Sequence, residues 1–233
     1  MTSRFGALAL ALAFSFSLKA TELINNGGFE TGDLSGWTVA STGGSDDAWF
    51  ANNSTVTNLN GYLTVGPASG NWYAVTDGSG LVSPESTALY QTVAIPVGTT
   101  DDLLSLDIFV NDWNGGSGPG AEVAIWASGA NPLTASPIDV IYTADTATIA
   151  GLPNPYIAIS QDITAFLTPG SSYEIGILET DITGPINVGV DNVSLAATSG
   201  AGGVPEPGML IPTGLLAAGM LFYRARRKAS AKV

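Results

Sequence analysis

Asn187-Val188-Gly189-Val190-Asp191-Asn192-Val193-Ser194-Leu195 alternates apolar with small or polar residues, and Asn192 breaks the alternation once. A period of two is the pattern of a strand with one buried face. Leu104-Ser105-Leu106-Asp107-Ile108 repeats it. Outward from these two stretches, short apolar, β-branched and aromatic segments recur between clusters of Gly, Pro, Asn, Asp and Ser. Strands are expected near 37–40, 47–50, 62–65, 71–76, 88–95, 102–111, 121–128, 137–142, 156–162, 172–180 and 187–195. No segment keeps a clean helical period. This spacing predicts an all-β sandwich.

Charge is segregated to an extreme degree. The seven basic residues are Arg4, Lys19, Arg224, Arg226, Arg227, Lys228 and Lys232, all near the two ends. Residues 21–203 contain no Lys, Arg, His or Cys, and they carry every acid of the chain's 20 except Glu206. Nucleic acid is excluded as a partner, because no basic patch exists to displace counterions from phosphates. The missing side chains also exclude Ser-His-Asp and Cys-His catalysis, His or Cys zinc sites and a Lys Schiff base. A divalent cation held by carboxylates is the metal chemistry that remains.

Both ends read as membrane-directed segments. Arg4, the apolar run Phe5–Leu18 and the small Ala20 form a signal peptide over residues 1–20. At the other end Val204-Pro205-Glu206-Pro207 precedes an uncharged run, Met209–Tyr223, and the basic stop Arg224, Arg226, Arg227 and Lys228. As a helix the run is about 22 Å long, short for a hydrocarbon core of about 30 Å. It suits a temporary transmembrane stop, with the basic tail held cytoplasmic. The order of these three parts resembles the PEP-CTERM sorting signal read by exosortase-type membrane proteases. That resemblance implies export and a transient anchor, then delivery to the cell envelope or extracellular matrix. The expected organisation is 1–20 signal peptide, 21–197 sandwich, 198–203 flexible linker and 204–233 sorting segment.

Three stretches of the middle carry a second resemblance: Asn25-Asn26-Gly27-Gly28-Phe29-Glu30 through Trp37, Tyr90-Gln91-Thr92-Val93, and Asn187–Leu195. They are similar to the opening, middle and closing motifs of carbohydrate-binding-module or galactose-binding-like jelly rolls. The resemblance implies a jelly-roll sandwich with a structural Ca²⁺ held by Glu30 and Asp191, and by carbonyls near Asn26. Asp77, at the end of an expected strand, is a third candidate ligand. No other cofactor is expected.

Sugar binding needs an aromatic face and short polar groups. Asp112-Trp113-Asn114, in a Gly-rich stretch, is the first candidate, and Trp49 beside Asp46 and Asp47 the second. Trp37, Trp72 and Trp126 lie in strand-like patterns and are expected in the core. The functional expectation is a non-catalytic surface or matrix protein that binds polysaccharide. A polysaccharide-degrading enzyme using Asp46, Asp47, Asp112 or Glu179 is one alternative, and an ice or surface adhesin is another.

Overall fold

The computed structural model describes residues 20–42, 48–78, 85–113, 119–145, 152–181 and 185–200. The segment to residue 19, Asp46, Asp47, Asn114 and the whole tail from Ala201, with the Val204–Pro207 motif and the basic stop, lie outside the described residues. Among the described residues no helix is long and apolar enough to cross a membrane.

Among the described residues, eleven strands form two antiparallel sheets. They are β1 (Ala20–Glu22), β2 (Thr38–Ser41), β3 (Phe50–Asn52), β4 (Tyr73–Val75), β5 (Glu85–Ala94), β6 (Thr99–Asp112), β7 (Pro119–Ala127), β8 (Asp139–Asp145), β9 (Ile157–Asp162), β10 (Ser172–Asp181) and β11 (Ile186–Ser199). One sheet has the order β3-β4-β11-β6-β9, with β1 added on β11; the other runs β2-β5-β10-β7-β8. The β3–β4 and β7–β8 connections stay within a sheet, and the others change sheet.

Alternation explains the core. Leu104, Leu106, Ile108 and Val110 of β6 meet Val188 and Val190 of β11. From the opposite sheet come Leu89 and Val93 of β5, Val123 and Ile125 of β7, and Ile175 and Ile177 of β10. A one-residue slip would turn each set to the wrong face. The interruption at Asn192 handles that hazard. Asp191 pairs with Asp107 but Ser194 with Ser105, so β11 gains one residue there. Asn192 takes φ 52°. This bulge returns Val193 and Leu195 to the core face that Val188 and Val190 occupy.

Part of the six-stranded sheet's other face is buried too. Tyr73, Val75 and Phe109 point away from the main core and form a second cluster with Phe50, Val65 and Tyr156. The β3–β4 connection, residues 53–72, supplies part of that cover. The strand expected at 62–65 belongs to it and is no strand: Leu63 makes a single bridge to Val56. The strand expected at 47–50 falls at Phe50–Asn52 instead. β1 begins at Ala20, which the sequence pattern assigns to the leader.

Asp102 shows what the acidic composition costs. It is 2 % exposed, on the inward-facing register of β6, and its Oδ1 has no partner among the described residues. Burial, with Asp101 and Asp162 nearby, pushes its carboxyl above the usual range. A folded-state pKa above the unfolded one means the native state binds the proton more tightly, so stability is lost as pH rises through that window. Asp102→Asn is therefore expected to raise the melting temperature at pH 7 by about 2–4 °C, equivalent to ~1 kcal/mol. The difference should shrink as the pH is lowered toward that of an ordinary carboxylate. Equal melting temperatures at pH 7 would show that Asp102 is not desolvated.

Candidate functional site: the loop 53–72 and its anchors

Residues 53–72 have few strand bonds, so their amides need other acceptors. Three carboxylates provide them. Asp77 Oδ2 accepts the N–H groups of Leu59 (2.9 Å) and Asn60 (2.7 Å), while its Oδ1 accepts the Thr57 hydroxyl at 2.8 Å. Asp191 Oδ2 accepts the N–H groups of Ala68 (2.9 Å) and Ser69 (3.0 Å). Glu30 Oε1 accepts those of Asn71 (2.8 Å) and Trp72 (2.9 Å). The three acids expected to share a metal thus grip one loop, each through two neighbouring amides. Gly70 takes φ 60°, and a Cβ there would collide with the Glu30 carboxylate.

The three resemblance motifs meet at this anchor. The Asn25 amide donates to Gln91 Oε1 at 2.8 Å, and Gln91 Nε2 returns a bond to Asn25 O at 3.0 Å. Val193 N–H, just past the bulge, donates to Gly27 O at 2.9 Å. A Cβ on Gly27 would strike the Val193 carbonyl, so only glycine allows this approach. Phe29 holds φ 55°, unusual for a bulky residue, and its fully buried ring lies against Trp37 at 5.6 Å.

Glu30 and Asp191 are close across Gly28: the position of a Gly28 Cβ is 3.9 Å from both Asp191 Oδ1 and Glu30 Cγ. The Asn71 and Trp72 amides hold the Glu30 carboxyl below its usual range. Burial pushes the Asp191 carboxyl up, against bonds from Ser69, Asn192 and Ala68 that pull it down. One oxygen of each carboxylate keeps acceptor capacity. Glu30 Oε2 has only the Asn71 side chain, at 3.4 Å. Asp191 Oδ1 has one amide, that of Asn192, at 2.7 Å. Asp77 does not join this pair, since its carboxylate is committed to residues 57–60. The carbonyl of Asn26 already accepts from Phe29 N–H at 3.2 Å and Trp37 Nε1 at 3.1 Å. No group of three or more acids able to hold a metal occurs among the described residues.

Trp113 stands at the far end of the same loop. Its ring pairs with Tyr62 at 5.1 Å, tilted by 32°. Its Nε1 donates to Asn187 Oδ1 at 2.9 Å. Asn187 is fully buried, and its Nδ2 reaches Thr76 O at 3.0 Å and Asp77 Oδ1 at 3.4 Å. Trp113 and Tyr62 are both half-buried, and next to Tyr62 in the chain stand Leu63, 51 % exposed, and Leu59, 59 % exposed. Asp112, the last residue of β6, is half-buried beside Trp113. Trp49 is different: it is 4 % exposed within the main core, because it precedes β3 with its ring turned inward. It presents no face to a ligand, contrary to expectation. Trp126 is buried, and Trp37 and Trp72 pack against the core as expected. Tyr62 and Asn187 were not legible as site residues, because their roles come from long-range contacts with Trp113.

No protein-family model matches the chain, and no curated protein matches it. Solved structures do. A cleaved adhesin domain of Lys-gingipain from Porphyromonas gingivalis is 15 % identical with a TM-score of 0.50, covering 77 % of this chain and 100 % of that one. TmCBM61, solved with β-1,4-galactotriose, is 15 % identical with a TM-score of 0.47, covering 75 % and 97 %. The Stig cyclase Fisc from Fischerella sp. TAU is 18 % identical with a TM-score of 0.48, covering 78 % and 99 %. At such identities the likeness is one of fold: the chain has the β-sandwich of the adhesin domain.

Asn187→Ala removes the link between Asp77 and the Trp113 indole: the indole N–H loses its acceptor, and Thr76 O and Asp77 Oδ1 each lose a donor. It is expected to cost about 1–3 kcal/mol in urea unfolding and to increase quenching of tryptophan emission by acrylamide. A variant as stable as the parent, with unchanged quenching, would show that Asn187 does not hold the ring.

Proposed function

We propose that this chain is an exported, non-catalytic cell-surface or extracellular-matrix protein whose sandwich binds polysaccharide. The observation that carries the binding role is the Trp113–Tyr62 pair, half-exposed and held at the indole nitrogen by a buried asparagine. A ring fixed in this way loses little freedom when a sugar face stacks on it. Asp112 beside the ring is the polar group expected to meet hydroxyls, and Asn114 is expected to serve in the same way. A surface-binding role, which the gingipain domain's name states for that protein, is one this fold accommodates. Against an enzyme stands the absence of His, Cys, Lys and Arg from residues 21–203. Glu179, one acid of the enzymatic alternative, is buried at 1 % exposure, out of a substrate's reach.

In the same proposal, Val204, Pro205, Glu206 and Pro207 are the recognition motif of an exosortase-type protease. Met209–Tyr223 holds the chain in the membrane, and Arg224, Arg226, Arg227 and Lys228 stop its passage. Glu30 and Asp191 hold a structural Ca²⁺ over Gly28, which would bring positive charge to the anchor of the 53–72 loop.

Two experiments test these statements. The full-length protein is expected to bind extracellular polysaccharide of the producing cells, and Trp113→Ala to weaken this by about tenfold, or ~1.4 kcal/mol. Failure to bind any polysaccharide would remove the binding role. Ca²⁺ at saturating concentration is expected to raise the melting temperature by several degrees, as binding to the native state requires. Asp191→Asn should abolish that shift. Because burial raises the Asp191 carboxyl, the shift should also fade at a pH above that where an ordinary aspartate titrates. A flat melting temperature with and without chelator would leave the two acids as loop anchors alone.

A further inference from the structure

The reading of Trp113 and Tyr62 as a sugar platform leaves open which sugars it admits. Charge decides this. Across residues 21–203 no cationic side chain exists, so no guanidinium or ammonium is available to meet a carboxylate, sulfate or phosphate on a ligand. The charged groups nearest the platform in the chain and in the hydrogen-bond network are anionic: Asp112 adjoins Trp113, and Asp77 lies one residue behind it through Asn187. An anionic polymer laid over the rings would meet like charge at each repeat.

The same acids are poorly placed to attract a cationic polymer. Asp77 is fully buried and accepts two amides and a hydroxyl. Asp112 already has a partner. Glu30 and Asp191 face the turn 68–72. What the platform offers is aromatic: the half-buried rings of Tyr62 and Trp113. We infer that the ligand of this site is an uncharged polysaccharide, bound through the apolar faces of neutral hexose rings. This rests on the binding role proposed above. Selectivity comes from the absence of any cation at the site.

The test offers the full-length protein three immobilised polymers: a neutral galactan, the polyuronate alginate and the amino sugar polymer chitosan. Binding is measured in chelator at about 20 mM and about 500 mM salt, which shortens the screening length several-fold. The inference expects galactan to bind with less than about a twofold change between the two salts, since no net charge is neutralised. Alginate should not bind in chelator at either salt. Alginate binding that persists in chelator, or chitosan binding that falls with salt while galactan fails, overturns the inference but keeps the binding role. No binding to any of the three overturns the inference along with the binding role. A gain-of-function variant separates charge from folding defects. Leu59→Lys adds one cation at an exposed position outside the ring pair, three residues before Tyr62 in the chain, and is expected to confer salt-sensitive alginate binding while galactan binding stays within about threefold. A folded Leu59→Lys protein that still ignores alginate at low salt would show that charge is not what excludes anionic polymers.

Discussion

A carboxylate in this domain has no cation to pair with, and the 53–72 loop is what that constraint builds. Charge-assisted bonds from amides are the substitute, each stronger than a neutral hydrogen bond. Asp77, Asp191 and Glu30 each take two adjacent amides from the loop. Glu174 follows the same rule on the other sheet, accepting the Thr92 hydroxyl at 2.9 Å and Gly129 N–H at 2.8 Å. Amides spent in this way cannot also pair in a strand, so the loop is irregular for the same reason that it is well fixed. Removing any one of these acids would leave a pair of amides without an acceptor, which costs more than the bonds themselves contribute.

The loop also joins two places that lie far apart in the sequence. At one end it meets Glu30 and Asp191, beside the bulge of β11; at the other, Tyr62 meets Trp113 after β6. Asn187 of β11 ties Asp77 to the Trp113 indole, so a single strand carries the bulge at Asn192, the acid at Asp191 and the support of the aromatic pair. A change that loosens the Asp191 anchor would reach the platform through packed backbone, with no separate signalling element required. Orientation of Trp113 is thereby a property of the fold and is set before any ligand arrives.

Much of this could be read from the sequence. The period-two pattern of β6 and β11 located the core strands, and the break in alternation at Asn192 turns out in the structure to be a bulge, where one residue occupies an extra place. Trp113 stood out by its polar, Gly-rich surroundings, and its ring is half-buried against Tyr62. Trp49 misled for the same reason: acids precede it, yet its ring turns inward, and chain neighbours do not report ring direction. The run at 62–65 misled in another way. Its alternation is real, but its only bridge is to Val56, and nearby amides go to Asp77. That outcome depends on a carboxylate 17 residues or so downstream, which no local pattern contains. The use of amides as partners by Glu30 and Asp191 was visible only in three dimensions.

Acid titration should reveal the two ways in which this domain handles its acids. Glu30, Asp33 and Asp162 have carboxyls held down, first of all by backbone amides in Glu30 and by neighbouring hydroxyls in the others. Their contribution is present above the ordinary carboxylate range and is lost as pH falls through their lowered values. Asp102 is raised by burial, and protonating it relieves a cost. Mild acidification therefore discharges the poorly solvated acid and reduces the repulsion among a set of charges that are all negative. Acidification also protonates Glu30, and the turn at 71–72 then loses the charge on its acceptor. The sign follows from where each carboxylate found its donors: protonation favours the fold at Asp102, which lacks a partner on one oxygen, and opposes it at Glu30, which holds two amides of the turn.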